Sequence, residues 1–281
     1  MYEEHWQLDG RPFENNVGKS SLGKCDTYYP AECHQAGLLK LIYAIENHRG
    51  LALLTGPTGI GKSLLIQLLR TRLPETASPL LTIAYPALNP NELVRYIAQS
   101  LNPADESRVY TDTADAILSI RNSLRRYIEQ GRRPVLFFEE AHLLESFNGL
   151  ETTRLLLNIL SDEIDGESAW TMIFSGLPTL LAQINRYQPL DERLAVKCLL
   201  NPFSADETTS YIQHRVRACG GDAERIFSRE AIDSIHMLAG GIPRRINRLC
   251  DLALMLGFAE DRPQISTDII EGVQADLLPI L

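Results

Sequence analysis

The sequence predicts an α/β fold in which helices flank a parallel sheet and a small all-helical domain follows. Three observations carry this expectation. An apolar run, Leu51–Thr55, leads straight into the glycine loop GPTGIGKS (Gly56 to Ser63). LLIQLLRTRL comes next, with apolar residues at helical spacing. A second unbroken apolar run, Pro134–Phe138, ends in two carboxylates, Glu139 and Glu140; strands of parallel sheets, buried on both faces, read as such runs. After Asn201-Pro-Phe203 no strand pattern remains.

The elements follow in order. Leu51–Thr55 is the first strand, and the segment after Ser63 is a helix. Leu80–Ala84 is the next strand candidate. Helices are predicted over Asn91–Leu101 and Ala114–Glu129, joined by a surface connection at 102–113. Pro134–Phe138 is a strand, Leu150–Glu163 a helix, Thr171–Ser175 a strand, Thr179–Asn185 a helix and Val196–Leu200 a strand. Strands alternating with helices argue for parallel pairing through right-handed crossovers. Ser204-Ala-Asp-Glu207 is a capping box that opens a helix through about Ala218. Ser228-Arg-Glu-Ala and Pro243-Arg-Arg-Ile-Asn247 open two more, and Ser266-Thr-Asp-Ile starts the last. The chain thus divides into a leader, 1–35, expected to pack on the core, a core, 36–203, and a helical domain, 204–281.

Composition narrows the function. With 281 residues and 44% hydrophobic content, intrinsic disorder is excluded as the main description. The longest apolar run, Leu252 to Ala259, is interrupted by Gly257 and falls short of the roughly 20 residues a membrane span needs. The opening MYEEHWQLDG is not a secretory signal. The cysteines, Cys25, Cys33, Cys198, Cys219 and Cys250, are scattered without a CxxC; this reads as free thiols in a reducing cytosol, with no metal site. The net charge of −9 argues against constitutive nucleic-acid binding. It is uneven: residues 181–250 hold ten Lys/Arg against eight Asp/Glu, a net of +2, and the last 31 hold one against six, a net of −5.

The glycine loop carries the chemistry. Gly56, Pro57, Thr58, Gly59, Ile60, Gly61, Lys62 and Ser63 match G-x-x-x-x-G-K-[ST] in full. Such a loop wraps backbone N–H groups around phosphate oxygens, helped by the following helix N-terminus. Lys62 reaches the β- and γ-phosphates and Ser63 holds Mg²⁺, so the expected ligands are ATP and Mg²⁺. Glu139 stands on the metal side, one methylene longer than the usual Asp. Glu140 orients or deprotonates the attacking water, and for the neighbouring His142 a supporting or surface role is expected. Ser175 ends the fourth strand beside Gly176, either sensing the γ-phosphate or simply ending the strand. Arg193 and Arg186 are each either an arginine supplied to a neighbour's site or part of a surface ion pair. Arg244 projects from the first turn of its helix and is placed to touch the γ-phosphate; Arg245 and Arg248 lie on other faces.

Together, the P-loop, the double acid and Gly241-Ile-Pro-Arg244 on a helical lid resemble the AAA+ ATPases. Within them the chain resembles the ExeA family, also called general secretion pathway protein A ATPases, over about residues 1–258. The similarity rests on Tyr2-x-x-His5-Trp6-x-Leu8-x-x-x-Pro12-Phe13, Ile45-Glu46-Asn47-x-x-Gly50, Tyr211-Ile-x-x-Arg215 and Asn247-x-Leu249-Cys250-Asp251. The resemblance implies a P-loop NTPase core with a small helical lid, and an ATPase that forms a ring or filament. It further implies that Arg193, just before the last strand, is presented to a neighbouring subunit. The family usually has Asp-Glu-Ala-Gln where this chain has Glu139-Glu-Ala-His142, and Gly-Gln-Pro where it has Gly176-Leu-Pro178. Leu177 cannot hydrogen-bond, which leaves Ser175 as the substitute sensor.

The function implied is a cytoplasmic ATPase that powers or regulates assembly of an envelope secretion or pilus machine. Larger family members continue into a membrane span and a peptidoglycan-binding domain, so this chain is expected to reach the inner membrane through a protein partner. Two alternatives stand beside it: an ATP-dependent DNA-binding regulator of transposition, and a nucleotide-operated switch with little turnover.

Overall fold

The computed structural model describes residues 2–14, 27–102, 109–164 and 167–277. Cys25 and residues 103–108 of the predicted 102–113 connection lie outside the described residues. The chain starts with α1 (Tyr2–His5) and α2 (Glu32–Glu46), then β1 (Leu51–Thr55), α3 (Lys62–Arg72), β2 (Leu80–Ile83), α4 (Pro90–Leu101) and α5 (Thr113–Glu129). Next come β3 (Val135–Phe138), a 3-10 helix at Ala141–Phe147, α6 (Gly149–Leu157), β4 (Thr171–Gly176), α7 (Thr179–Arg186), α8 (Gln188–Asp191) and β5 (Leu194–Leu199). Helices follow: α9 (Ala205–Ala218), α10 (Ala223–Ile226), α11 (Arg229–Ala239), α12 (Pro243–Ala259) and α13 (Thr267–Leu277). The described residues form two compact units. One takes 33–56 and 65–200; the other takes 1–32, 57–64 and 201–281.

The first unit is built on a parallel sheet of order β2-β3-β4-β1-β5. Successive strand residues point to opposite faces. Leu51, Leu53, Leu136, Phe138, Met172 and Phe174 join a core with Leu93, Ile97, Ile120, Leu124, Leu156 and Leu180 of α4 to α7. On the alternate residues, Phe137 lies under Arg70 of α3, and Gly37 of α2 sits against Leu65, Cys198 and Leu200. Both faces of the central strands β1, β3 and β4 are covered, so these strands are buried throughout. The helix predicted over Leu150–Glu163 is shorter than expected. Asn158 caps α6, and Leu160 takes a left-handed φ of +68° that no helix can continue through. β5 starts two residues earlier than predicted because Leu194 already pairs with Leu51.

The second unit is helical. Ser204 caps α9 with the predicted reciprocal box to Glu207. The leader, expected on the core, packs here, anchored by large side chains. Trp6 donates its indole N–H to the Leu254 carbonyl at 3.0 Å, Tyr2 donates to Asp251 at 2.7 Å, and Asp9 N–H donates to the Cys219 carbonyl at 2.8 Å. Arg215, 2% exposed, donates from Nη2 to the Glu14 carbonyl at 2.8 Å and from Nη1 to the Tyr211 hydroxyl at 2.7 Å. Tyr211 in turn donates to Asn247 Oδ1 at 2.7 Å. The expectation of free thiols needs one correction: Cys33, Cys198 and Cys250 are thiols, but Cys219 is disulfide-bonded. Spacing along the chain did not suggest this bond, because disulfides form on spatial proximity. No helix among the described residues is long and apolar enough to cross a membrane.

Candidate functional site

The glycine loop belongs to the helical unit from Pro57 to Leu64. Gly59 and Gly61 take φ of +84° and +114°, a region side chains rarely enter. The Pro57 carbonyl accepts from Lys62 Nζ at 3.1 Å and from Ile60 N–H at 3.4 Å, which closes the loop on itself. Lys62 and Ser63 are the first two residues of α3.

The start of α12 meets this loop. Arg244 N–H donates to the Gly59 carbonyl at 3.2 Å, and a Cβ on Gly59 would stand 2.8 Å from Arg244 Cβ. Arg244 thus lies at the loop through its backbone, with its side chain exposed. Two helix N-termini and two cations gather here. Neither α3 nor α12 carries an acidic residue in its first turn, whereas α4, α5, α6, α9 and α11 each do. The partial positive charge of those two N-termini meets no carboxylate from its own first turn. This donor set, an ammonium, a hydroxyl and helix N-termini around a glycine cradle, fits a polyphosphate with its divalent cation. The described residues hold no cluster of three or more His, Cys, Asp or Glu that would bind a metal alone. A nucleotide-bound Mg²⁺ does not require one, since phosphates and waters supply most of its ligands.

In the sheet unit, β1, β3 and β4 end at one edge. Thr55 pairs with Gly176, and Gly56 N–H donates to the Gly176 carbonyl at 3.3 Å. One residue beyond the Phe138–Phe174 pair come Glu139 and Ser175. Glu139 N–H still joins the sheet through the Ile83 carbonyl at 3.0 Å. Glu140 turns the chain away with a left-handed φ of +47°, and its carboxylate lies 3.5 Å from His142 Nδ1. Ser175 is buried and lies inside β4, which runs one residue further than predicted.

Arg193 stands at the opposite edge of the sheet, just before Leu194, which pairs with the first residue of β1. It lines an open cavity of about 490 Å³ together with His48, Arg49, Ser168 and Glu192. Sequence reasoning missed Arg49 as its neighbour; the only signal was that it lies just before β1, and strand pairing alone brings the two together. Arg186 is an exposed residue of α7, and Lys197 is held by Asp191 at 2.7 Å. Sequence reasoning also left open what His142 touches. Gly176 was the available signal: a Cβ there would come within 3.3 Å of His142 N.

An AAA-domain family profile matches residues 45–184. General secretion pathway protein A of Aeromonas hydrophila is 30% identical over 269 residues, covering 94% of this chain and 46% of that protein. The chain thus spans about half the length of this curated relative. Among solved structures, the Aeropyrum pernix ORC2 protein in ADPNP-ADP complexes has a TM-score of 0.66 at 14% identity, covering 96% of this chain and 72% of that one. Cdc6p of Pyrobaculum aerophilum also scores 0.66, at 16% identity, with 96% and 71% covered. The Thermotoga maritima RuvB Holliday junction branch migration motor scores 0.57 at 19% identity, with 90% and 70% covered. At these identities the structural likeness shows the fold alone: a P-loop core with flanking helices and a helical domain. On the double acid, the complete P-loop and similarity over 94% of its own length, the chain belongs to the AAA+ ATPases of the ExeA, or general secretion pathway protein A, family.

Proposed function

We propose that this protein binds ATP with Mg²⁺ on the loop Gly56–Ser63 and hydrolyses it to ADP and phosphate. The observation that carries the reading is the glycine loop between two acid-free helix N-termini, with Lys62 and Arg244 beside it. Lys62 and the loop amides hold the β- and γ-phosphates, and Arg244 contacts the γ-phosphate. Ser63 and Glu139 hold Mg²⁺, which neutralises phosphate charge when bound. Glu140 accepts the proton of the attacking water, and Ser175 senses the γ-phosphate from β4. Arg193 lies just beyond a full strand length from Gly56 within its own sheet, about 20 Å at the usual rise. That separation favours action on a neighbour's nucleotide in a homo-oligomer.

On this reading nucleotide turnover drives assembly of an envelope secretion or pilus machine, with the protein working on the cytoplasmic side and recruited to the inner membrane by a protein partner. The test compares Lys62→Ala and Glu140→Gln. Lys62→Ala loses binding of a fluorescent ATP analogue. Glu140→Gln keeps it and loses about 10²–10⁴ in turnover, the usual worth of a general base. Unchanged affinity in Lys62→Ala refutes the site. A DNA mobility shift that appears only with a non-hydrolysable analogue and fades with salt would move the function to transposition control, and intact binding without wild-type turnover would make it a switch.

A further inference from the structure

At the sheet edge that carries the double acid, a chain of contacts runs from the first residue of the glycine loop to Glu140. Gly56 N–H donates to the Gly176 carbonyl at 3.3 Å. Gly176 lies so close to His142 that a Cβ would stand 3.3 Å from its backbone N and 3.4 Å from Nδ1. His142 Nδ1 is shielded from solvent, has no hydrogen-bond partner among the described residues, and faces Glu140 Oε2 at 3.5 Å. The His142 carbonyl accepts from Gln183 Nε2 of α7 at 3.2 Å, which holds the backbone of that turn. The Glu140 side chain is 56% exposed and that of His142 only 19%. The imidazole is thus the fixed member of the pair and the carboxylate the free one. The left-handed Glu140 backbone makes this possible, because it folds the residue two positions on back towards the carboxylate.

We infer that His142 is the positioning residue for Glu140: it holds the carboxylate for the attacking water and ties its placement to the end of β4 through Gly176. The inference rests on the reading of Glu140 as the base. An exposed carboxylate with no fixed neighbour samples several rotamers, and misplacement by about 1 Å can cost 10²-fold in rate. His142 itself touches neither phosphate nor water. Its loss therefore lowers kcat while nucleotide affinity stays.

The experiment measures ATP turnover and analogue binding for His142→Leu, His142→Ala and His142→Gln, each alone and with Glu140→Gln, with thermal melting as the folding check. Leu and Ala are expected to lose about 10- to 100-fold in kcat with KM held within about twofold. Gln presents an amide N–H in place of the imidazole and restores most of the rate. In the Glu140→Gln background none of the three adds a further loss, because residues acting through one another are not additive. Wild-type kcat in folded His142→Leu or His142→Ala overturns the inference, as does a further loss on top of Glu140→Gln. Wild-type turnover in Glu140→Gln alone overturns the base reading, and the positioning role falls with it. A Glu140→Gln protein without turnover beside an active His142→Leu protein overturns only the role of His142.

Discussion

Arg215→Ala tests how the leader is held. Arg215 is almost fully buried and donates to the Pro12 and Glu14 carbonyls, the Tyr211 hydroxyl and Thr27 Oγ1. Truncation removes four donated hydrogen bonds. Tyr211 keeps Asn247 as a partner, so the main loss falls on the two leader carbonyls. Each buried acceptor left unsatisfied costs about 1–3 kcal/mol; relief from burying a guanidinium offsets part of this. The expected net loss is about 2–4 kcal/mol. The chain carries two tryptophans; Trp6 sits in the leader against Leu254, and Trp170 is buried in the sheet unit. In a Trp170→Phe background, Trp6 emission followed through urea unfolding therefore reports the leader and its helical partner. Arg215→Ala should bring that transition to lower urea and expose the leader to protease. Arg215→Lys keeps the charge but cannot span all four acceptors, so it should fall between. A loss under about 1 kcal/mol in Arg215→Ala would show that the buried guanidinium does not hold the leader.

Three further outcomes follow from the structure. Arg193→Ala should bind ATP yet hydrolyse poorly, and mixing it with Glu140→Gln should restore some turnover through mixed interfaces; a protein that stays monomeric with steady activity at all dilutions refutes trans action. Burial pushes the Cys198 thiol up to about 11 and the Cys250 thiol further in the same direction, so at pH 8 iodoacetamide should spare both until urea is added; equal labelling rates with and without urea refute the packing. Hydrogen bonds from Arg125 and Arg121 hold the Glu163 carboxyl at about 2, below its ordinary 4.5. A depressed carboxyl stabilises the fold above its unfolded value and loses that contribution as pH falls towards about 2. An NMR titration of Glu163 with a midpoint near 4.5 would show that these pairs do not persist in solution.

The glycine loop, the double acid and the five strand runs were legible in the sequence because each is local. A P-loop needs fixed residues at fixed spacing, and a strand buried on both faces must be apolar throughout, so Leu51–Thr55 could be read to the residue. The Ser204 capping box was equally plain, since its two hydrogen bonds close within four residues. What the sequence left open depends on partners distant in the chain. Leu160 bends α6 to a close because its left-handed backbone is set by what packs around it, and no residue type announces that. The leader was expected on the core, and only the fold decides that Tyr2 and Trp6 meet Asp251 and Leu254 of α12. Arg244 meets Gly59 across some 185 residues of chain. Glu140 meets His142 only because a left-handed turn at the sheet edge brings them face to face. Local covalent and steric rules therefore determined the elements and the loop that cradles phosphate. The placement of the groups around that chemistry was decided by packing, where non-local burial outweighs any preference written in a short segment.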